Sequence, residues 1–515
     1  MRCPRIALAC GWLGWNLARA ASPVGSLSLP VQDGRFAPDQ PRAIAAPPGD
    51  SGGETAARAS RDSFRTLPYL QNVHSRGITV MWERDGQQEA RVEYGASANH
   101  GFAVPATVEA SGFGTFIYRA VIDGLEPDRE YHFRVAPTEA DVPDRVFRTA
   151  PEELTAFSFA VWSDSQGVNR GAYAPDPYEP TVSMMAHMAA SGIDFAVTAG
   201  DLAEDGASYA DTRAYYLDRV ARHLGQTVPW FVAWGNHDRG RDAVIRKFAD
   251  LPSKDRRGFT PGYGSYSFDY AGCHFVCLDY ATMRTDITVW LESDLSSEAS
   301  RNARFTFLFV HVPPYCELWF DGDSDLRSRL VPLLERYGVD VCFSGHTHEY
   351  SRGYRHHVHY CVTGGGSWLD LPEQLVVDWP HMTVGGQHAI PGVSRPGEDR
   401  GGGLINEYVR VEVTPAAFTA RMIGFDPSGK AVGVLDEFSS APPLLSLDAS
   451  GASRASLLLR WSGGVGPFQL QRTFDPMAGP WEDFGSVRNT GGGSVRLVNS
   501  AVKPAFFRWL DLREP

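Results

Sequence analysis

Apolar positions follow three successive patterns along the chain. Between Leu67 and Pro137 they alternate with polar ones in short runs, "GITVMWERD", "ARVEYG", "IYRAVIDGL" and "REYHFRVAP", each bounded by turn residues. Alternation with period two marks half-buried strands, and several at regular spacing predict a β-sandwich of about 90 residues. From Ala156 the pattern changes. "FSFAVWSD", "IDFAVTAGD" and "VPWFVAWGNHD" are apolar runs of strand length, separated by "EPTVSMMAHMAASG" and "DTRAYYLDRVARHL", whose apolar residues recur at helical spacing. "YSFDYAGCHFVCLDY" reads as a hairpin, "DITVWLESDLSS" and "DLRSRLVPLLERYG" as helices, and "RFTFLFVHVPPY" and "VDVCFSGHTH" as strands. Buried strands alternating with helices predict an α/β layered domain. From about Phe418 the chain is β-like and Gly-rich, and "ASLLLRWSGGVGPFQLQRT" and "PAFFRWLDL" predict a small terminal β-domain.

The ends and linkers divide these patterns. Arg2 and Arg5, an apolar stretch from Ile6 to Leu17 and the A-x-A pattern of Ala18 to Ala20 predict a secretory signal peptide over 1–20. Ala, Pro, Gly and Ser dominate 21–61, which reads as a disordered linker. The domains then run 62–150, 151–435 and 445–515. No later segment has the roughly 18 apolar residues of a membrane span, so the expected product is secreted or periplasmic. A length of 515 residues suits such a multidomain chain, and 43% hydrophobic residues suffice for packed cores.

Charge narrows the partners. A net charge of −13 without a Lys/Arg cluster argues against nucleic acid, whose phosphates demand clustered cations. An anionic substrate would need a local anion site, most simply a metal. Seven cysteines are present, and Cys3 and Cys10 would leave with the signal peptide. Cys273, Cys277, Cys342 and Cys361 sit in apolar runs, which predicts buried thiols with at most one or two bridges. C-x-x-C is absent, which argues against a cysteine zinc site.

Each central strand ends in a short polar motif: Asp164-Ser165-Gln166, Gly200-Asp201, Gly235-Asn236-His237-Asp238, His311, and Gly345-His346-Thr347-His348. Ligand sites of α/β sheets form at the carboxyl ends of the strands. Five such motifs in order bring Asp, Asn and His into one crevice, a mixed oxygen and nitrogen donor set suited to Zn, Mn or Fe.

This order of motifs resembles the calcineurin-like metallophosphoesterases. The preceding module, with Trp82 in an early strand and Leu125 and Tyr131 flanking a turn, resembles a fibronectin type III domain, so the chain is most similar to the purple acid phosphatases. The resemblance spans roughly 65–435. It implies a β-sandwich core flanked by helices and two divalent or trivalent ions about 3.5 Å apart. Asp201 would bridge both ions, Asp164 and His348 would bind the first, and Asn236, His311 and His346 the second. His237 would act on the reacting phosphate or its leaving oxygen. Asp238 would orient His237 or cap the following helix. The implied reaction is hydrolysis of a small phosphate monoester by a metal-bound hydroxide. A phosphodiesterase of the same fold and an inactive binding or adhesion protein are the alternatives. The β-modules would contribute packing, or contact with a surface or carbohydrate.

Two departures from the purple acid phosphatase pattern stand out. Those enzymes carry a metal-binding Tyr three residues after the Asp of G-D, where this chain has Glu204, and Tyr209 lies at the wrong offset. Gln166 stands where they have Gly and other superfamily members have a His ligand. Gln166 is therefore expected to bind or line the first metal site, with Glu204 as the competitor and a hydrogen-bonding role for Gln166 as the alternative. "VTGGGSWLD" lacks the Lys and Ser/Thr of a phosphate-binding loop and reads as a tight turn. "RHHVHY" reads as a solvated strand with His357 and His359 on one face and His356 on the other, and His187 as packing or surface. The long polar loop from Leu369 to Leu404 is expected to help shape a substrate wall.

Overall fold

The structure is a computed structural model and describes residues 64–137, 144–167, 178–240, 242–252, 264–283, 287–370, 375–386, 390 and 404–440. Beyond these it describes 444–448, 456–462, 468–473, 480, 482–483, 492–498 and 506–511. The expected signal peptide and linker lie outside the described residues, as do 371–374, 387–389 and 391–403 of the long polar loop.

Two large sheets pack face to face. In the first, Phe157–Trp162, Phe195–Thr198 and Trp230–Val232 run parallel. In the second, Cys273–Leu278, Thr306–Val310, Val341–Ser344 and Val358–Thr363 run parallel. Side chains of a strand alternate between faces, and here both faces are buried. Phe157, Phe159 and Val161 point into the inter-sheet core with Phe195, Phe231, Phe275, Phe307 and Phe309. Ala160 and Trp162 point outward against Met184, Met185 and Met188 of the helix Glu179–Ala190. On the far side, Leu278, Leu308 and Val310 meet Leu291 and Leu334 of the helices Ile287–Leu295 and Val331–Tyr337. Burial on both faces explains why these strands are near-continuous apolar runs.

The N-terminal module is built differently from an independent sandwich. Its strands Arg91–Gly95, Phe102–Pro105, Glu130–Ala136 and Arg145–Arg148 form one four-stranded sheet. The strands Phe64–His74, Gly77–Arg84, Thr107–Ala110 and Phe116–Ile122 instead continue the first central sheet, which they extend to ten strands. Phe64–His74 runs beside Trp230–Val232, with Gln71 opposite Trp230. At the other edge, Asn406–Val413, Phe418–Phe425 and Ala431–Ser439 complete the sheet. The central domain thus reaches Ser439, slightly past the expected 435, and the β-pattern that begins at Phe418 belongs to it. The C-terminal residues form two three-stranded sheets.

Three smaller expectations are corrected or sharpened. Cys273, Cys277, Cys316, Cys342 and Cys361 are all buried free thiols, without a bridge among them. "RHHVHY" is not one solvated strand. His356 and His357 have φ of 45° and 70° and form the hairpin turn between Tyr350–Arg355 and Val358–Thr363, while His359 is buried. His187 packs edge-on against Phe425 and its Nδ1 lies 2.9 Å from the Tyr408 hydroxyl.

Candidate metal centre

The parallel strands of both sheets end at the same rim, and the polar motifs meet there. Asp164 and Asp201 follow the first and second strands of one sheet, and Asn236 and His237 follow its third. His311, His346 and His348 follow strands of the other. The backbone turns sharply at these points. Asp164, Asp201 and His346 have φ of 58°, 52° and 71°, the left-handed region where Asp, Asn and His are the most tolerated non-glycine residues. The motif glycines allow close contact. A Cβ on Gly235 would fall 2.1 Å from an Asp201 carboxylate oxygen, and one on Gly345 2.2 Å from an Asp164 oxygen.

The side chains form two groups joined at Asp201. In one, Asp201, His311 and His346 each offer a donor atom, all within 4.8 Å of one another. His311 Nε2 lies 3.1 Å from Asp201 Oδ2 and 3.1 Å from Asn236 Oδ1. In the other, His348 Nε2 lies 3.5 Å from Asp164 Oδ1. Gln166 joins this second group. Turned so that its amide nitrogen donates to the Asp164 and Asp201 carbonyls at 3.2 and 2.7 Å, it directs its oxygen toward His348 Nε2, 3.5 Å away. Glu204, the competing residue, puts its carboxylate beside Gly167 and Trp368. Tyr209 is remote: its ring stacks on Phe113 and its hydroxyl donates to Glu83.

The imidazoles are held from behind. The Ala199 carbonyl accepts from His311 Nδ1 at 2.8 Å and the Trp368 carbonyl from His348 Nδ1 at 2.6 Å. A proton fixed on Nδ1 leaves the Nε2 lone pair facing the centre, as for metal-binding histidines generally. Asp164 Oδ1 is buried and has no hydrogen-bond partner, whereas its Oδ2 accepts from the His346 amide at 2.8 Å. A buried carboxylate oxygen is costly unless something positive or protic satisfies it. The orphan atom and the oriented nitrogens thus fit a cation, and the oxygen and nitrogen donors fit Zn, Mn or Fe.

The electrostatics agree. Burial pushes the Asp164 carboxyl up to about 8, with the Asp201 charge adding to it. Burial also works against ionisation of Asp201, but His311 and His237 outweigh it and hold this carboxyl well below the usual range. Burial lowers His346 to about 3 and His348 to about 4, so both are neutral donors. His311 is driven the other way, up to about 9, because Asp201 and Asp164 outweigh its burial. Bound cations would favour carboxylates and neutral imidazoles, reversing the shifts of Asp164 and His311 and reinforcing those of Asp201, His346 and His348.

His237 and Asp238 take different positions. His237 stands at the mouth, partly exposed, with Nδ1 held 2.7 Å from the Glu204 carbonyl and its amide donating to Asp201 Oδ1 at 2.9 Å. Asp238 neither orients the His237 ring nor caps a helix. Its buried carboxylate accepts from the amides of Asp201, Leu202 and Gly235, each at 2.9 Å. It clamps the G-D turn to the G-N-H-D turn.

Several contributors escaped the sequence reading. The fully buried Arg219, in the wide π-type helix Thr212–Ala221, donates from Nη1 to the Ser165 and Gly167 carbonyls at 2.8 and 2.7 Å and fixes the first motif. The sequence held no signal for it: the π-helical geometry, of a kind that clusters at functional sites, is visible only in the fold. Trp368, from the Gly-rich turn, packs on His348 with ring centroids 3.7 Å apart. Trp319 lies 4.9 Å from His346. The turn reading of "GGGSW" holds, and its glycines let the chain pass against the first motif: a Cβ on Gly366 would fall 2.0 Å from the Ser163 carbonyl.

Comparison with known proteins is consistent with this geometry. Residues 157–350 match the calcineurin-like phosphoesterase family, and 68–149 match the purple acid phosphatase N-terminal domain. Among curated relatives, purple acid phosphatase 22 of Arabidopsis thaliana is 28% identical over 53% of this chain and 63% of its own length. Purple acid phosphatase 18 of the same plant is 25% identical over 60% of this chain and 72% of its own. The chain thus spans between about half and three quarters of such relatives. A purple acid phosphatase from yellow lupin (Lupinus luteus) seeds shares the fold, with a TM-score of 0.54 at 18% identity over 72% of this chain and 73% of that one.

Proposed function

We propose that this chain, which carries a calcineurin-like phosphoesterase domain behind a purple acid phosphatase N-terminal domain, is a metal-dependent hydrolase of phosphate monoesters with a dinuclear centre. The observation that carries the reading is the joining of two donor groups at Asp201, beside the orphaned oxygen of Asp164. Asp164, Gln166 and His348 would hold the first ion, Asn236, His311 and His346 the second, and Asp201 both. When bound, the ions supply charge that neutralises phosphate oxygens and lowers the pKa of water toward ~7.

The protein's own part is positioning. Carbonyls behind His311 and His348 keep their Nε2 atoms turned inward. Asp238 keeps the two turns that carry Asp201 and Asn236 at a fixed separation. His237, tethered through Nδ1, has Nε2 free to hydrogen-bond the reacting phosphate or give a proton to the leaving oxygen. The reading includes export, from the basic and apolar pattern of the first twenty residues. Among the described residues, no helix is long and apolar enough to cross a membrane.

Metal analysis of the purified protein, paired with rates on an aryl phosphate and an aryl phosphodiester, tests the proposal. Two ions per chain and faster cleavage of the monoester are expected. Absence of turnover on both esters with Zn, Mn and Fe supplied would overturn it, and preference for the diester would reassign the substrate. Glu204 replaces the metal-binding Tyr of the purple enzymes, so no visible tyrosinate-to-iron band is expected.

A further inference from the structure

The loop after His311 presents Trp319 beside the centre in a way that packing alone does not explain. The loop is tightly braced. Trp379 Nε1 donates to the Cys316 and Asp321 carbonyls at 3.0 and 3.2 Å, and Arg327 Nη1 donates to the Pro314 and Asp321 carbonyls at 3.0 and 2.6 Å. Within this frame Trp319 has φ of 71°, a conformation that bulky residues rarely adopt. Backbone strain of this kind persists where the surroundings over-determine it, and it clusters at functional sites. The indole is not the buried anchor of the loop, since it is 43% exposed. It lies 4.9 Å from the His346 ring at 33°, and Phe320 meets His346 edge-on at 5.5 Å. A large flat surface is thus held rigidly next to a metal-facing imidazole and left open to solvent.

We propose that Trp319 is a specificity-determining residue, a stacking wall that selects phosphate monoesters whose alcohol carries a flat, unsaturated ring. The inference rests on the phosphoesterase reading above. A ring tethered to the bound phosphate would cover the open indole face, in the offset or tilted geometry that aromatic pairs prefer. A short alkyl alcohol would leave that face exposed.

Benzyl phosphate and ethyl phosphate test this, because their alcohols leave with similar ease. Trp319→Ala should lower kcat/KM for benzyl phosphate about tenfold, mainly through KM, and change ethyl phosphate less than about twofold. Trp319→Phe should restore most of the difference. Binding of the non-hydrolysable benzylphosphonate, measured by calorimetry, should weaken in parallel, while ethylphosphonate and metal content stay unchanged. Equal losses for both esters, loss of metal, or no change would each overturn the proposal. Failure of the wild-type protein to cleave either ester would overturn the monoesterase reading itself.

Discussion

Two buried histidines in this protein share a chemical setting and differ in what they can do. His311 and His274 are each almost fully enclosed, and carboxylates push each up to about 9 against the opposing effect of burial. His274 sits near the start of its strand. Its Nδ1 lies 2.8 Å from Asp269 and its Nε2 2.8 Å from Asp294, so both nitrogens are taken by acids. Asp269 is its cross-strand partner and Asp294 comes from the helix Ile287–Leu295. His311 leaves the opposite end of the neighbouring strand. A carbonyl takes its Nδ1, and its Nε2 opens onto Asp201 and Asn236. The first arrangement closes on itself and is structural. The second does not close: Asp201 and Asn236 both converge on Nε2, beside a buried Asp164 oxygen that has no hydrogen-bond partner. A raised histidine pKa therefore does not mark a site. What marks it is the convergence of several oxygen and nitrogen donors beside a buried carboxylate oxygen that nothing satisfies.

That contrast can be broken from either side. Asp201→Asn should have the largest effect, loss of bound metal and a fall in turnover of about a thousandfold, measured by metal analysis and phosphate release. His237→Ala should lower turnover about a hundredfold with metal content intact; metal loss would move His237 into the ligand set. Gln166→Ala should weaken binding of one ion about tenfold, seen in a chelator titration, and lower turnover only when metal is scarce. His274→Ala should leave turnover and metal content unchanged and cost about 3–5 kcal/mol of stability, because the buried Asp294 and the partly exposed Asp269 both lose their partner. The sign of its pH dependence follows from a folded-state value of about 9 against an ordinary 6.5. The stabilisation is complete below pH 6.5 and fades as pH rises through 9. Denaturant unfolding at pH 6 and pH 10 should therefore show wild type and variant converging at the higher pH.

The difference between these regions also explains what could be read from the chain. The residues of the candidate centre follow apolar runs directly, so strand ends alone placed Asp164, Asp201, Asn236, His311, His346 and His348 along one rim. The His274 pair depends on strand register and on a helix twenty residues away, neither of which local pattern reveals. Asp238 was misassigned for the same reason. Its neighbours in sequence suggested a partner for His237 or a helix cap, but its carboxylate accepts from Asp201 and Leu202, in the turn after the adjacent strand, as well as from Gly235. Trp319 and Trp368 were missed because aromatic residues in loops look like ordinary packing until a ring is found beside them. His356 and His357 misled because "RHHVHY" lacks the Gly, Pro, Asn or Asp that usually signal a turn, although His tolerates the positive φ found there.

The shared ten-stranded sheet changes what a domain boundary means here. By sequence the N-terminal module ends near 150 and looks removable. Yet Phe64–His74 lies against Trp230–Val232, with Gln71 opposite Trp230 and the Leu70 amide donating to the Gly225 carbonyl at 2.8 Å. Cutting the chain at 150 would uncover the apolar edge of Trp230–Val232, leaving backbone groups free to pair with another chain. A shortened protein should self-associate instead of behaving as a free catalytic domain. The module then acts as a molecular selvedge, keeping the sheet from unravelling into its neighbours.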